Sequence, residues 1–439
     1  MPKKKTALTI EERLQQALVP AEEQPYEVPE NWVWVRLIGN VNSCLDGYRK
    51  PINSSERAKR VGKVPYYGAT GQVGWIDDYL TNEHLVLLGE DGAPFLDLLK
   101  DKAYIIFGEA WVNNHAHILK SYFGEIGNVF LMHYLNMVDY KDYVKGTTRL
   151  KLTQGSMQLM PFPLPPLSEQ QRIVERIEEL FAKLDEAKER LQEVADSFAV
   201  RKAAILHKAF TGELIGKQVT ELVPLENLVD LIKIGPFGSS LHESDYIENG
   251  IPLVNPKHIV QQRIVPQSKI SISDEKAEEL SSYKLKENDI VLGRRGEMGR
   301  CAPISNREEN WICGTGSMII RLKKEYDAKL YSLILGSQAT VTYLENSAVG
   351  STLKNLNEKI VRKIPVPQFS SEEQHEIVRL IDDLLARERA AQQATEQTLA
   401  SIDLMKKSIL ARAFRAELGT NRASEASALE LLKQVLAEN

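Results

Sequence analysis

Apolar residues recur at alternating spacings of four and three along one long stretch of this chain. Ten positions between Ile173 and Ile205 follow this rule, and only Arg201 is neither apolar nor alanine. A heptad pattern held for this length is typical of a coiled-coil helix. A second stretch, from Ile377 to Ile409, has the same spacing but is polar in its middle. The pattern predicts two long helices that pair with each other; the alternative is that each helix packs only on its own globular segment.

The two helical stretches are copies of one unit. Residues 146–214 align on residues 350–418 without a gap, and 21 of the 69 positions are identical. A repeat of this length, offset by 204 residues, indicates one structural unit used twice. The identities fall in blocks, among them Gly146 with Gly350, Pro161 with Pro365, Glu169-Gln170 with Glu373-Gln374, and Ala209-Phe210 with Ala413-Phe414.

Short runs of β-forming residues, broken by glycine, fill the regions outside these helices. They lie at 33–35, 64–67, 85–88 and 104–107, and again at 251–254, 289–292 and 318–321. A capping box at Thr9–Glu12 predicts an N-terminal helix, and Ser427 is placed to cap a C-terminal one. The predicted class is α+β. The predicted boundaries are 1–28 for an N-terminal helix and extended arm, 29–160 and 218–364 for two globular domains, 161–217 and 365–419 for two helical spacers, and 420–439 for a C-terminal helix.

Helix length constrains how the two copies are arranged. A helix from Glu169 to Leu214 would be roughly 70 Å long. The link that follows, 215–222, spans about 28 Å even when fully extended. The second helix is therefore expected to return antiparallel to the first, as a two-helix coiled coil that separates the globular domains with pseudo-two-fold symmetry. The two terminal helices should then lie together.

Composition places the chain in a broad class but does not decide its ligand. Hydrophobic residues make up 43% of the 439 positions, enough for real cores, and no apolar run approaches membrane-spanning length. Three cysteines without a CxxC pair indicate a reducing compartment, so a cytoplasmic location is expected. The net charge of −5 gives no overall basic footprint. Charge therefore neither supports nor excludes nucleic acid.

Motifs for catalysis are missing from the sequence. We find no phosphate-binding GxxxxGK[ST], no GxGxxG after a strand, no HExxH and no GxSxG. The stretch Asn113–His117 has two histidines, but without a nearby cysteine or carboxylate partner it is more often structural than a metal site. We therefore predict no catalytic and no metal-binding residue. The chain is expected to be a recognition module.

Polar loops punctuated by glycine are the candidate contact surfaces. Glycine-rich loops bring backbone N–H groups close to phosphates, and arginine or lysine on them can reach base edges. The alternative for each loop is an ordinary turn with solvated charge. The candidate DNA-binding residues are Tyr48, Arg49, Lys50, Tyr67, Thr70, Asn114, Lys233, Ser239, Lys257, His258, Arg294, Arg295, Arg300 and Thr352.

The repeated blocks resemble a known family. Gly146-Thr-Thr and Gly350-Ser-Thr, each followed by Pro-x-Pro and Glu-Gln-x-x-Ile-Val, are similar to the conserved regions of the DNA specificity subunit of type I restriction-modification systems. The resemblance covers essentially the whole chain and is strongest in the helical repeats. The globular segments would then be target recognition domains.

The resemblance also implies partners. A non-catalytic subunit of a DNA adenine methyltransferase and restriction complex is expected to read a bipartite site on double-stranded DNA. Two modification subunits carrying S-adenosylmethionine would dock on the helices, with Glu169, Gln170, Glu373 and Gln374 as candidate contacts. Restriction subunits would bring ATP and Mg, so this chain itself needs no cofactor. The competing interpretation is a coiled-coil adaptor whose end domains bind protein.

Overall fold

The computed structural model describes residues 9–237, 240–347 and 355–438. These residues form two compact units. The first unit holds the described residues up to 192 together with 396–438, and the second holds 193–395. Two long helices contribute residues to both units, and each part is described with the unit that contains it.

The first unit is built mainly from short strands. Its strands are β1 (Val33–Arg36), β2 (Asn42–Cys44), β3 (Val64–Gly68), β4 (Gly71–Ile76), β5 (Thr81–Asn82), β6 (Leu85–Gly89), β7 (Ala103–Ile106), β8 (Glu109–Val112), β9 (Ala116–Ser121), β10 (Val144–Lys145), β11 (Lys151–Leu152) and β12 (Pro161–Leu164). Its helices are α1 (Ile10–Ala17), α2 (Ser54–Arg57), α3 (Gly124–Met137), α4 (Gln154–Leu159) and the first part of α5 (Leu167–Phe210).

Two four-stranded sheets organise this unit. One has the order β2-β9-β6-β7 and is antiparallel throughout. The other has the order β4-β3-β8-β5, and its central strands β3 and β8 run parallel. Helix α3 packs on the first sheet and buries Phe130, which meets the rings of Phe162 and Phe414 edge-on. These aromatic contacts tie the sheet to the helical repeats.

The second unit has its own set of elements. Its strands are β13 (Val223–Pro224), β14 (Val229–Ile234), β15 (Ile251–Val254), β16 (Ile259–Val260), β17 (Arg263–Ile264), β18 (Ser271–Ile272), β19 (Asp289–Gly293), β20 (Cys301–Pro303), β21 (Ile312–Cys313), β22 (Ser317–Leu322) and β23 (Pro365–Val366). Its helices are α6 (Asp274–Glu279), α7 (Ala328–Leu335), α8 (Gln338–Ser347), α9 (Glu358–Arg362) and the first part of α10 (Ser371–Ala413). The last helix, α11 (Ala428–Glu438), belongs to the first unit.

The two units share one topology. The sheet β14-β22-β19-β20 repeats the order β2-β9-β6-β7, and the parallel pair β15 and β21 corresponds to β3 and β8. The strand Asp289–Gly293 lies 204 residues after Leu85–Gly89, which is the offset of the helical repeat. The globular regions are thus copies as well, although their sequences have diverged.

Helices α5 and α10 pair antiparallel within each unit. In the first unit, Asp185 accepts from Lys406 at 2.6 Å, and Lys188 lies 3.4 Å from Asp403. In the second unit, Arg201 binds Glu388 at 3.0 Å. Partner numbers fall as α5 numbers rise, so the predicted antiparallel pairing is confirmed. The alternative also holds in part, because the first turns of each helix are buried in the core of their own unit.

Two details of the helical prediction are wrong. Val194 and Met405 lie at positions of the four-and-three apolar spacing, which predicts burial between the two helices, but both side chains are exposed. Helix α5 was expected to continue to Leu214 but ends at Phe210, where Gly212 adopts a φ of 81°. A left-handed glycine just past the last turn is a common way to end a helix, and it turns the chain out of the helical path.

The terminal helices lie together, as predicted. Arg13 of α1 donates to the carbonyl of Leu436 in α11, and the two helices pack against each other. The capping box at Thr9 and Glu12 is present, with bonds of 2.8 and 3.2 Å. Among the described helices, none combines the length and apolar content that a membrane crossing requires.

Candidate nucleic-acid interface

The predicted residues of the first unit gather at the carboxyl ends of the parallel strands β3 and β8. The turn after β3 carries Thr70, and the turn after β8 carries Asn114, both exposed. Lys50 joins them because its backbone N–H donates to Val112, the last residue of β8, at 3.1 Å. Carboxyl ends of adjacent parallel strands are a common place for ligand sites. The structure therefore brings these three residues to one edge.

Tyr48 and Tyr67 flank this edge differently. Tyr48 ends a short 3₁₀ turn and is 58% exposed. Tyr67 is half-buried and packs beside Tyr104, whose hydroxyl donates to Gly68 at 2.6 Å. Burial raises the pKa of Tyr67. The first ring is free for stacking, whereas the second mainly fixes the turn.

Arg49 is not available as a surface cation. Its guanidinium donates to Asp46 at 2.9 Å, to Glu90 and to the carbonyl of Ala116. Its side chain is mostly buried, and these partners occupy its donors. Arg49 is therefore unsuited to contact DNA. Its bonds instead hold the turn at Asp46 against β9.

Sequence reasoning missed two cations beside this edge. Arg149 binds Asp91 at 2.7 Å and is 58% exposed, and Lys151 binds Glu90 at 2.7 Å and is 51% exposed. Both follow Gly146 at the start of the repeat, so their position next to a shared block could have drawn attention to them. Exposed cations beside this edge are suited to phosphate contact.

A basic segment after Lys50 was also missed. Residues 49–63 hold six basic residues and one acidic residue. Arg57 stacks over the ring of Tyr66 and Arg60 over that of Trp111, each with its guanidinium carbon 4.7 Å from the ring centroid. Such stacking holds both guanidinium groups in place, and Arg60 is also paired with Asp77 at 2.6 Å. The local charge density was the feature that could have identified this segment.

The second unit repeats the same edge. Lys257, exposed, lies in the turn after β15, and Gly314 begins the turn after β21. Lys233 is part-exposed, with its ammonium 4.4 Å from the ring centroid of Tyr283. His258 does not belong to the surface, because its side chain is buried and its Nδ1 lies 2.8 Å from the carbonyl of Leu253. Burial lowers the pKa of His258, so this histidine is a neutral structural group.

The loop between Gly293 and Arg300 contains one exposed arginine at its start. Arg294 is buried and its Nε donates to the carbonyl of Leu356 at 3.1 Å, while the next residue, Arg295, points out. Burial, followed by the charge of Arg295, lowers the pKa of Arg294. Arg300 is part-exposed and pairs with Glu297 and the carbonyl of Pro256. The prediction that Arg294 contacts DNA therefore conflicts with its burial, whereas Arg295 remains a candidate. Ser239 and Thr352 lie outside the described residues.

One backbone frame underlies both edges. Asn113 N–H donates to Tyr67 at 3.1 Å in the first unit, and Gly314 N–H donates to Val254 at 3.0 Å in the second. Two further backbone bonds recur. In the first unit, Glu90 N–H donates to the carbonyl of His115, and Leu152 N–H donates to that of Glu90. In the second unit, Arg294 N–H donates to the carbonyl of Gly316, and Leu356 N–H donates to that of Arg294. The frame is conserved between the units although the side chains differ.

The side chains on this frame carry opposite charge. Glu90-Asp91 follow β6 in the first unit, and Arg294-Arg295 follow β19 at the same place in the second. The two acidic residues form salt bridges with Arg49, Arg149 and Lys151. In the second unit the two residues at these positions are themselves cations. A shared frame with unlike groups can present two different patterns of donors and acceptors.

Comparison with known proteins decides the family. A model of the type I restriction modification DNA specificity domain matches residues 29–196 and 226–399. The chain belongs to this family. It is 29% identical over 316 residues to the EcoBI specificity subunit of Escherichia coli, covering 65% of this chain and 66% of that one. It is 34% identical over 145 residues to a putative type I restriction enzyme specificity subunit of Haemophilus influenzae, covering 33% of this chain and 36% of that relative.

A solved structure of low sequence identity has a similar fold. The HsdS subunit of Thermoanaerobacter tengcongensis superposes with a TM-score of 0.59 at 17% identity, covering 90% of this chain and 99% of that one. The chain spans about a third and about two thirds of the two curated relatives named above. The fold is therefore shared over most of the length of both chains.

The residues predicted to bind partner subunits are mostly buried within the chain. Glu169, Gln170 and Gln374 are fully or almost fully buried. Gln170 donates to the carbonyl of Pro165 at 3.1 Å, and Gln374 donates to that of Phe369 at 3.0 Å. They anchor the start of each long helix to the preceding chain. These three residues are therefore unsuited to contact a partner subunit. Glu373 remains a candidate, because it is part-exposed and pairs with Lys217 at 2.7 Å.

Proposed function

We propose that this chain is the DNA specificity subunit of a type I restriction-modification complex and that each unit reads one half of a bipartite site. The observation that supports this most is the backbone frame at the carboxyl ends of the parallel strands, which recurs in both units with different side chains. A constant frame sets how DNA docks, and variable side chains on it set which bases are chosen. Two copies on one chain then read two unlike half-sites.

We propose a recognition surface in each unit. In the first unit it consists of Tyr48, Lys50, Thr70 and Asn114, with Arg149, Lys151, Arg57 and Arg60 at its rim. In the second it consists of Lys257 and Arg295, with Lys233 and Arg300 beside them. In this proposal the basic residues balance phosphate charge, while the neutral polar groups and Arg295 contact base edges.

We further propose the domain boundaries predicted from the sequence and the partners implied by the family. The recognition domains would span 29–160 and 218–364, and the helical spacers 161–217 and 365–419. Two modification subunits carrying S-adenosylmethionine would dock on the exposed faces of α5 and α10, where Val200 and Leu404 expose apolar side chains to solvent. Restriction subunits would add ATP and Mg. We expect the complex to act in the cytoplasm, where its DNA lies.

The deciding experiment is a DNA-binding and methylation assay with the modification subunit present. We expect the complex to retard DNA in a gel and to methylate adenine in one two-part motif, identified by methylome sequencing. A chain that binds the modification subunit but adds no sequence preference would instead support the adaptor interpretation.

Replacing Arg295 with alanine should weaken reading of one half-site only. A lost arginine contact to a base costs about 1–3 kcal/mol and relaxes specificity at that position. The matched control is Arg307→Ala, an exposed arginine of the same unit that lies in a different loop. Binding competition with single-base variants of the motif measures the effect. Equal relaxation in both halves would contradict independent recognition by the two units.

A further inference from the structure

An exposed aromatic ring follows the same edge strand in both units. Tyr48 comes after β2 and is 58% exposed, and Phe237 comes after β14 and is 61% exposed. Both strands lie at the edge of their four-stranded sheet. A single exposed apolar side chain is ordinary on a protein surface. Its recurrence at one place in two diverged copies indicates a contact that both units make.

The two turns that carry the rings start from the same strand register. Cys44 of β2 and Ile232 of β14 each lead, through the neighbouring strand, to equivalent residues of β6 and β19. The partners in order are Leu119 and Val86 for Cys44, and Ile320 and Ile290 for Ile232. Val86 and Ile290 lie 204 residues apart, which is the offset of the repeat. A glycine, Gly47 or Gly235, is the third residue after each starting position.

Each turn also contacts the end of the second parallel strand of its unit. In the first unit, the N–H of Lys50 donates to the carbonyl of Val112, the last residue of β8, at 3.1 Å. In the second unit, Gly235 lies against Gly314, the first residue after β21. A Cβ on Gly235 would come within 2.0 Å of the carbonyl oxygen of Gly314, so this approach requires glycine. The rings therefore emerge at the carboxyl ends of the parallel strands, where the proposed recognition surfaces lie.

The backbone that carries each ring is held in place. Asp46, at the start of the first turn, lies 2.6 Å from Nδ1 of His117. In the second unit, the carbonyl of Phe237 accepts from the N–H of Ser240 at 2.8 Å, next to the close contact at Gly235. A ring on ordered backbone loses little conformational entropy when it binds. Both turns are thus suited to place a ring at a fixed point on a ligand.

The two side chains have only an aromatic face in common. Tyr48 has a hydroxyl group, whereas Phe237 can neither donate nor accept a hydrogen bond. Their shared role is therefore not the reading of base edges by hydrogen bonds, whereas stacking on a base needs only the ring. Inside a duplex the base faces are covered by their neighbours, so a ring reaches one only where a base step is opened. Apolar side chains that open a step in this way act as wedges and kink the duplex.

Cations stand beside both rings. Lys50 follows Tyr48 by two residues. In the second unit, a Cβ on Gly314 would come within 2.2 Å of the side-chain oxygen of Asn255, and the exposed Lys257 lies two residues further on. Lysine contacts to phosphate offset the cost of unstacking bases, whereas an apolar protein surface offers lysine no partner. The charge around the rings therefore favours duplex DNA as their ligand.

We propose that Tyr48 and Phe237 are wedges, each inserting between two base pairs of the half-site that its own unit binds. This inference rests on the proposed function, since it requires both units to bind DNA. Opening a step also adds sequence preference without a hydrogen bond to any base. Pyrimidine–purine steps unstack more easily than others, so a wedge favours them at the point where it enters.

The test follows base stacking by fluorescence in the complete complex with the modification subunit. Duplexes of the methylated motif carry 2-aminopurine or pyrrolocytosine at one position at a time, with the methylated adenine left in place. Both analogues brighten when they are unstacked. We expect Tyr48→Ala to remove a signal in one half-site only, and Phe237→Ala to remove one in the other half only. Each change should weaken binding by roughly 5- to 150-fold, the loss expected for one stacked base.

Further variants separate the ring from other properties of these positions. Tyr48→Phe and Phe237→Tyr keep the ring and should keep both signals. Phe107→Ala is the matched control, because Phe107 is 69% exposed but precedes β8, at the opposite end of that strand from the recognition edge. It should leave binding and fluorescence unchanged. Circular dichroism checks the folding of each variant.

The other outcomes assign the rings elsewhere. A wild-type complex that methylates its motif without any ring-dependent signal would overturn the wedge and leave the proposed function standing. Affinity that falls when thymine is replaced by uracil, with no fluorescence change, would assign the rings to thymine methyl groups in the groove instead. Alanine variants that lose the modification subunit would place the rings in a protein interface. A complex without any preferred site would overturn both proposals.

Discussion

We expect Asp289→Ala to lower the free energy of unfolding of the second unit by about 3–5 kcal/mol. Asp289 is almost fully buried and accepts two bonds from Arg321, at 2.8 Å from Nε and 2.7 Å from Nη2. It also accepts from the backbone N–H of Lys286 at 2.8 Å. Bonding to Asp289 raises the pKa of Arg321. Removing the carboxylate leaves a part-buried guanidinium and a backbone donor without their partner.

A second substitution distinguishes charge loss from packing loss. Arg321→Met in the Asp289→Ala background removes the unpaired cation and should recover a large part of the stability. Urea unfolding gives the free energies, and hydrogen exchange in β19 and β22 assigns them to this unit. If Asp289→Ala stays within about 0.5 kcal/mol of the parent, as surface changes usually do, the ion pair does not stabilise the sheet.

We expect Glu169→Ala to cost about 3 kcal/mol, while the change at its repeat-equivalent, Glu373→Ala, should cost no more than about 1 kcal/mol. Glu169 has no exposed surface, and its carboxylate accepts from Trp32 at 2.7 Å and Asn421 at 2.8 Å. Alanine leaves the buried indole N–H of Trp32 without its partner, whereas the part-exposed Asn421 keeps its bond to Asn31 at 2.9 Å. Glu373 is part-exposed and pairs with Lys217 at the surface.

The two variants control for each other, because both positions lie in the first turn of a long helix and share the motif Glu-Gln-x-x-Ile-Val. Thermal or urea unfolding measures the difference, and Trp32 fluorescence reports the first site directly. Equal losses at the two positions would show that the shared helix start, rather than burial, sets the effect.

The elements that depend on local sequence were predictable. The capping box at Thr9, the strands at Leu85–Leu88 and Ile251–Val254, and the two long helices are all present. Each depends on contacts between near neighbours along the chain, such as a cap bond three residues away or a regular apolar spacing. The repeat offset also predicted two units. The exact end of α5 was missed because one left-handed glycine decided it.

The environment of individual charged residues was not predictable. The sequence treats Glu169 and Glu373 alike, and it treats Arg294 and Arg295 alike. Their burial differs because the surfaces that cover them come from Trp32, Asn421 and Leu356, which are distant in the chain. A side chain's solvation is set by what packs over it, and that information is not local.

What the sequence alone determined was the family, the α+β class, the internal repeat and the pairing of its helices. Only the tertiary structure decided that the globular regions share one topology, since sheet order depends on hydrogen bonds between strands far apart in sequence. It also decided that Lys50, Thr70 and Asn114 meet at one edge and that Cys44 and Asp46 reach His117. These groupings form because strand pairing brings together residues that are far apart in the sequence, and no local sequence pattern predicts which of them meet.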